Sequence, residues 1–78
     1  MQVDAPRLQR ICEDVMMDHI GPVAFIVAQD LLASAHFMPN VPVRAQLAAF
    51  AVQIRQALPA DQPRDQIAKR ILDLYGQG

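Results

Sequence analysis

An all-α fold, a compact four-helix domain with short loops, is predicted by three observations. Apolar residues recur at spacings of three and four through most of the chain, the signature of helices with one buried face. Proline and glycine fall in clusters that cut the chain into four segments. No segment alternates apolar and polar residues as a half-buried strand does; Val23 to Val27 is rich in β-branched residues but runs on into Ala- and Leu-rich sequence at helical spacing.

The first segment predicts a helix over residues 5–19. Asp4 suits the N-cap, and Pro6 falls in the first turn, where its missing N–H costs nothing. Leu8, Ile11, Cys12, Val15 and His19 share one face, and Glu13, Asp14 and Asp18 lie off it. Ile20-Gly21-Pro22 then ends or kinks the helix, since the residue before proline resists the helical region.

A second helix is predicted over 22–37. On a helical wheel Ala24, Val27, Ala28, Leu31, Leu32, Ala35 and Met38 form a broad apolar face with Phe25 at its edge. Gln29, Asp30, Ser34 and His36 take the other side, yet Val23, Ile26 and Phe37 fall there too, around Asp30. A helix apolar nearly all round is central in its domain or covered by a second chain.

Met38 to Pro42 reads as a loop with two prolines. The third helix, over 43–58, has a stripe of Val43, Leu47, Phe50, Ile54 and Leu58, supported by Ala51, with Gln46, Gln53, Arg44, Arg55 and Gln56 outside it. The fourth, over 63–75, has Asp61 as N-cap, a stripe of Ile67, Ile71 and Leu74, flanking Leu72 and Tyr75, and Gly76 as C-terminal cap. Asp4-Ala5-Pro6-Arg7 and Asp61-Gln62-Pro63-Arg64 share a D-x-P-R pattern, but the sequences after them differ, so both read as helix starts rather than a duplicated unit.

The length, 78 residues, sets a single domain, residues 1–78. At 53% the hydrophobic content is high for so short a chain, and with a net charge of −1 it excludes intrinsic disorder. The near-neutral balance also argues against nucleic acid as a partner. Arg64 to Arg70 is interrupted by Asp65, and only Tyr75 stands near enough to stack on a base, so it reads as a solvated helix face. Charge is split along the chain: residues 1–38 carry −3 and residues 39–78 carry +2. Such a split favours antiparallel self-association or a charged partner, or else marks two ordinary solvated surfaces.

Cys12 is the single cysteine, so no intramolecular disulfide staples the domain, and no basic apolar signal segment occupies residues 1–10. Ile20 to Ala28 is the longest apolar stretch, far short of the ~20 residues that cross a bilayer. A cytoplasmic protein with no membrane span is expected.

No catalytic constellation emerges, and no cofactor or metal is expected. Cys12 and His19 share a face, but seven residues of helix separate them by ~10 Å, too far for a nucleophile–base pair. His19 in a phosphotransfer or metal-dependent enzyme component is the alternative reading; as a cation at a helix C-terminus it also serves as a cap. Met16 and Met17 are adjacent and cannot both face one core, so an edge is expected there. With Val23, Ile26 and Phe37 they outline an apolar patch, next to the polar pair Asp30 and Ser34.

The run Leu8-x2-Ile11-Cys12-x2-Val15-x3-His19-Ile20-Gly21-Pro22-Val23-Ala24 resembles a small helical domain found at the C-terminal ends of bacterial signalling proteins, among them serine/threonine kinases and nucleotide cyclases. That domain carries an Ile-Gly-Pro-Val-Ala type turn between its first two helices. The resemblance implies an accessory, oligomerising or regulatory role and no catalytic residues. The expectation is therefore a non-enzymatic interaction module, a dimer or a partner of another protein, with Met16, Met17, Val23, Ile26, Asp30 and Phe37 at the contact.

Overall fold

The chain folds in the order α1 (Ala5–Ile20), one 3-10 turn (Gly21–Val23), α2 (Ala24–Ser34), α3 (Val43–Ala57) and α4 (Arg64–Gly76). The computed structural model describes residues 2–77. Helix accounts for all regular structure among them, in line with the all-α expectation. The expected count of four helices joined by loops is corrected: α1, the 3-10 turn and α2 run on without a loop. The chain is thus helical in three stretches, the first bent at Gly21.

Each start has a local cause. The Asp4 carboxylate accepts the Arg7 N–H at 3.2 Å, with proline in the first turn, as the sequence leads one to expect. Gly21 adopts φ 70° and ψ −153°, and its N–H donates to the Met17 carbonyl. That backbone region is essentially reserved for glycine. A Cβ built there would meet nothing within 4 Å, so conformation rather than space demands the glycine. Asp61 does not cap α4: Pro63 holds the cap position with no side-chain bond, and residues 59–64 form turns closed by Gln62 N–H to Pro59 O (3.1 Å) and Arg64 N–H to Gln62 O (2.8 Å).

The helices pack in the order α2 on α1, α1 on α4 and α4 on α3, and α2 meets α3 only thinly. Fully buried Leu8, Cys12, Met16, Phe50, Ile54, Ile67 and Ile71 fill the centre. Buried Ala24 and Ala28 present small side chains to that core from α2. The radius of gyration, 11.6 Å, is close to the ~11.5 Å expected of a folded chain of this length.

Two ties hold the ends of the fold together. The Tyr75 hydroxyl accepts the Asp4 N–H at 2.7 Å, and Arg7 donates to the Tyr75 carbonyl at 2.6 Å. The Arg7 guanidinium also lies 4.5 Å from the centre of the Tyr75 ring, a cation–π contact. These bonds join the start of α1 to the end of α4.

The second correction concerns the end of α2, at Ser34 rather than 37. Ala35 turns to an extended conformation (φ −78°, ψ 137°) after its N–H closes the last turn on Leu31. The departure turns Phe37 inward, half-buried against Phe50.

Candidate functional site

The most unusual surface follows from the pitch of α2. Ala24, Ala28 and Leu31 face the core, so Phe25, Ile26, Gln29, Asp30, Ala33 and Ser34 face outward. Val23, in the 3-10 turn, joins them. Val23, Phe25 and Ile26 are 47%, 46% and 60% exposed, three of the five most exposed large apolar side chains described. A soluble domain ordinarily places such residues singly, whereas here they fall within four consecutive positions. Asp30 stands exposed one turn beyond Ile26.

The expected contact residues therefore divide. Val23, Ile26 and Asp30 come together on this outward arc. Met16 does not reach an edge: it is fully buried, its unbranched side chain taking a place in the central cluster. Met17 is half-buried against that cluster. Phe37 is withdrawn from the arc because α2 stops short of it.

A second buried feature was not legible as such. Gln46, expected outside the stripe of α3, is 8% exposed. Its side-chain oxygen accepts the Met38 N–H, and its amide nitrogen donates to the carbonyls of Met38 and Val41, each at 2.9 Å. One amide thus satisfies three backbone groups of the loop after α2 and holds Phe37 over Phe50. The signal available in the sequence was the proline-bracketed loop ahead of α3, whose backbone groups needed partners.

The chemistry-bearing residues are dispersed. Cys12 is fully buried, and burial, with a smaller contribution from the neighbouring Glu13 charge, pushes its thiol up to about 12 from an ordinary 9.0. It stays protonated at neutral pH and cannot serve as a nucleophile there. His19 is exposed at the end of α1, on an open groove with Asp14, Asp18 and Arg70. Among the described residues no three His, Cys, Asp or Glu side chains are grouped to hold a metal ion. Arg64 turns back to the Pro59 carbonyl at 3.3 Å, while Lys69 and Arg70 are exposed.

A concave apolar surface lies between α3 and α4. Val43, Leu47, Leu72 and Tyr75 wall a shallow groove of roughly 460 Å³, with Arg44 and Ala48 on its rim. Leu72 and Tyr75, legible as flanking the stripe of α4, were the hint of it.

The helical stretch Ala5–Ser34 is long and apolar enough, by length and composition alone, to cross a membrane, although Gly21 interrupts it. No curated protein and no solved structure matches the chain. A family model described as a domain of unknown function (DUF8082) matches residues 8–78, all of the chain but its first seven residues, and the chain belongs to that family.

Proposed function

We propose that this chain is a non-enzymatic protein–protein interaction module that self-associates through the outward arc of α2 and serves a bacterial signalling or regulatory protein in the cytoplasm. The observation that carries the reading is the clustering of exposed Val23, Phe25 and Ile26 around the α1–α2 joint. Folding already covers about half of each of these side chains, so burying the rest is worth roughly half of the ~1.5–3 kcal/mol of a whole side chain apiece, a driving force for association that folding leaves unused. The signalling context rests on the resemblance of Ile20-Gly21-Pro22-Val23-Ala24 to the turn of the accessory domain of kinases and cyclases. A cytoplasmic rather than membrane location is favoured because the inward side of Ala5–Ser34 supplies much of the protein core.

An enzyme component working through His19 has less support. The thiol on the same helix is buried and protonated, and His19 stands on an open, solvated groove. Amide chemical shifts followed on dilution test the proposal. Concentration-dependent shifts that include residues near Val23, Ile26 and Asp30 are the expected result; shifts that do not change with concentration would remove the self-association reading.

A further inference from the structure

The outward arc of α2 is convex and apolar, with an acidic residue, Asp30, beside it. The groove between α3 and α4 is concave and apolar, with a basic residue, Arg44, on its rim. Neither Asp30 nor Arg44 has an ion pair or side-chain hydrogen bond among the described residues, where Arg55–Asp65 at 3.6 Å is the one ion pair. The two surfaces sit on different helices, so every copy presents both.

We infer that self-association is heterologous: the α2 arc of one copy seats in the α3–α4 groove of a second copy, pairing Asp30 with Arg44 across the contact. The inference rests on the proposed self-association and specifies its partner surface. The charge distribution favours this arrangement over arc-on-arc pairing. Residues 1–38 carry −3 and form α1 and α2, whereas residues 39–78 carry +2 and form α3 and α4. Arc-on-arc pairing brings the Asp30 carboxylates of the two copies to one contact and leaves both grooves open. Arc-in-groove pairing opposes unlike charge and covers ridge and groove together. A contact between unlike patches does not close by two-fold symmetry, so it builds rings or open chains. Stable interfaces bury ~800 Å² per partner; an arc of three large side chains covers less, so each contact is weak and assembly is concentration-dependent.

Complementation between variants of the full chain tests this. Ile26→Asp disables the arc and leaves the groove intact. Arg44→Glu with Ala48→Glu disables the groove at two exposed rim positions and leaves the arc intact. Sedimentation velocity of the wild type is expected to show mass climbing past the dimer with concentration. Each variant alone is expected to stay monomeric, and an equimolar mixture to form a heterodimer that grows no further. A wild type that stops at the dimer, with the groove variant dimerising equally well, overturns the heterologous contact and leaves the proposed function standing. A wild type monomeric throughout overturns both. As a check that does not depend on packing, Asp30→Arg and Arg44→Asp are each expected to weaken assembly at least tenfold, and the double swap in one chain to restore it. Failure of the swap to restore assembly overturns the Asp30–Arg44 pairing.

Discussion

The Phe37 and Phe50 rings pack with centroids 5.8 Å apart and planes tilted by 51°. This contact fixes the identity of the exposed surface, because it takes Phe37 out of the α2 arc and commits it to the core. Tilted aromatic pairs at this separation are favourable beyond the area they bury. Phe37→Ala is expected to cost about 2 kcal/mol, less than the ~3–5 kcal/mol of a fully buried phenylalanine because Phe37 is only half-buried. Urea unfolding measures the loss. Assembly of the folded variant should match wild type; a loss of assembly without a loss of stability would return Phe37 to the contact surface.

The bend between α1 and α2 depends on handedness at Gly21. Gly21→Ala should destabilise by about 1–3 kcal/mol, since φ 70° with ψ −153° is strained for an L-residue. D-alanine at the same position has the mirror preference and finds open space, so a synthetic chain carrying it should keep wild-type stability or gain slightly. Thermal unfolding of the two forms separates a conformational from a packing requirement. Equal destabilisation by both would contradict the conformational account.

Removing the Gln46 amide leaves one N–H and two carbonyls of the loop without their partner. Gln46→Leu should lose about 1–3 kcal/mol, and the loss should concentrate in the loop rather than spread through the helices. Hydrogen exchange at the Met38 amide is the local readout: it should accelerate strongly in the variant while amides in the middle of α1 change no more than global stability requires.

Cys12 should resist alkylation in the folded protein and react only on unfolding. Its raised pKa also has a pH consequence. Between pH 9 and about 12 the folded state keeps a proton that the unfolded state has lost, so stability falls as pH rises through that window. The contribution is fully present below pH 9, and the slope approaches about 1.4 kcal/mol per pH unit within the window. Thermal melts of wild type and Cys12→Ala across pH 8 to 11 measure it, and the variant should lack that part of the decline.

The helix-forming segments were legible because their punctuation is chemical: Asp4 and Pro6 open α1, Gly21-Pro22 bends the chain, and Pro42 precedes α3. The stripes of α3 and α4 were legible from periodicity, with Phe50, Ile54, Ile67 and Ile71 all buried. Where α2 ends was not. Wheel periodicity continues smoothly through Ala35 and Met38, and the exit at Ser34 answers to tertiary contacts, Phe37 on Phe50 and Gln46 on the loop. Met16 beside Met17 likewise gave no local sign of which enters the core. Ile26 was placed correctly on the outer side of α2, because the opposite face carries Ala24, Ala28 and Leu31. The α3–α4 groove has only the flanking Leu72 and Tyr75 as its sign in the sequence, because a groove is made by two helices and no single wheel displays it.

On the proposed function, the outward arc of α2 is a contact surface and not merely uncovered. Sedimentation equilibrium of wild type and Ile26→Asp, from roughly micromolar to millimolar chain, tests it most directly, with circular dichroism confirming equal helicity. Ile26 is 60% exposed, so the substitution should leave the fold intact. Concentration-dependent association of the wild type and a folded, monomeric Ile26→Asp are expected. A wild type and variant with the same mass at every concentration would contradict the arc as a contact surface.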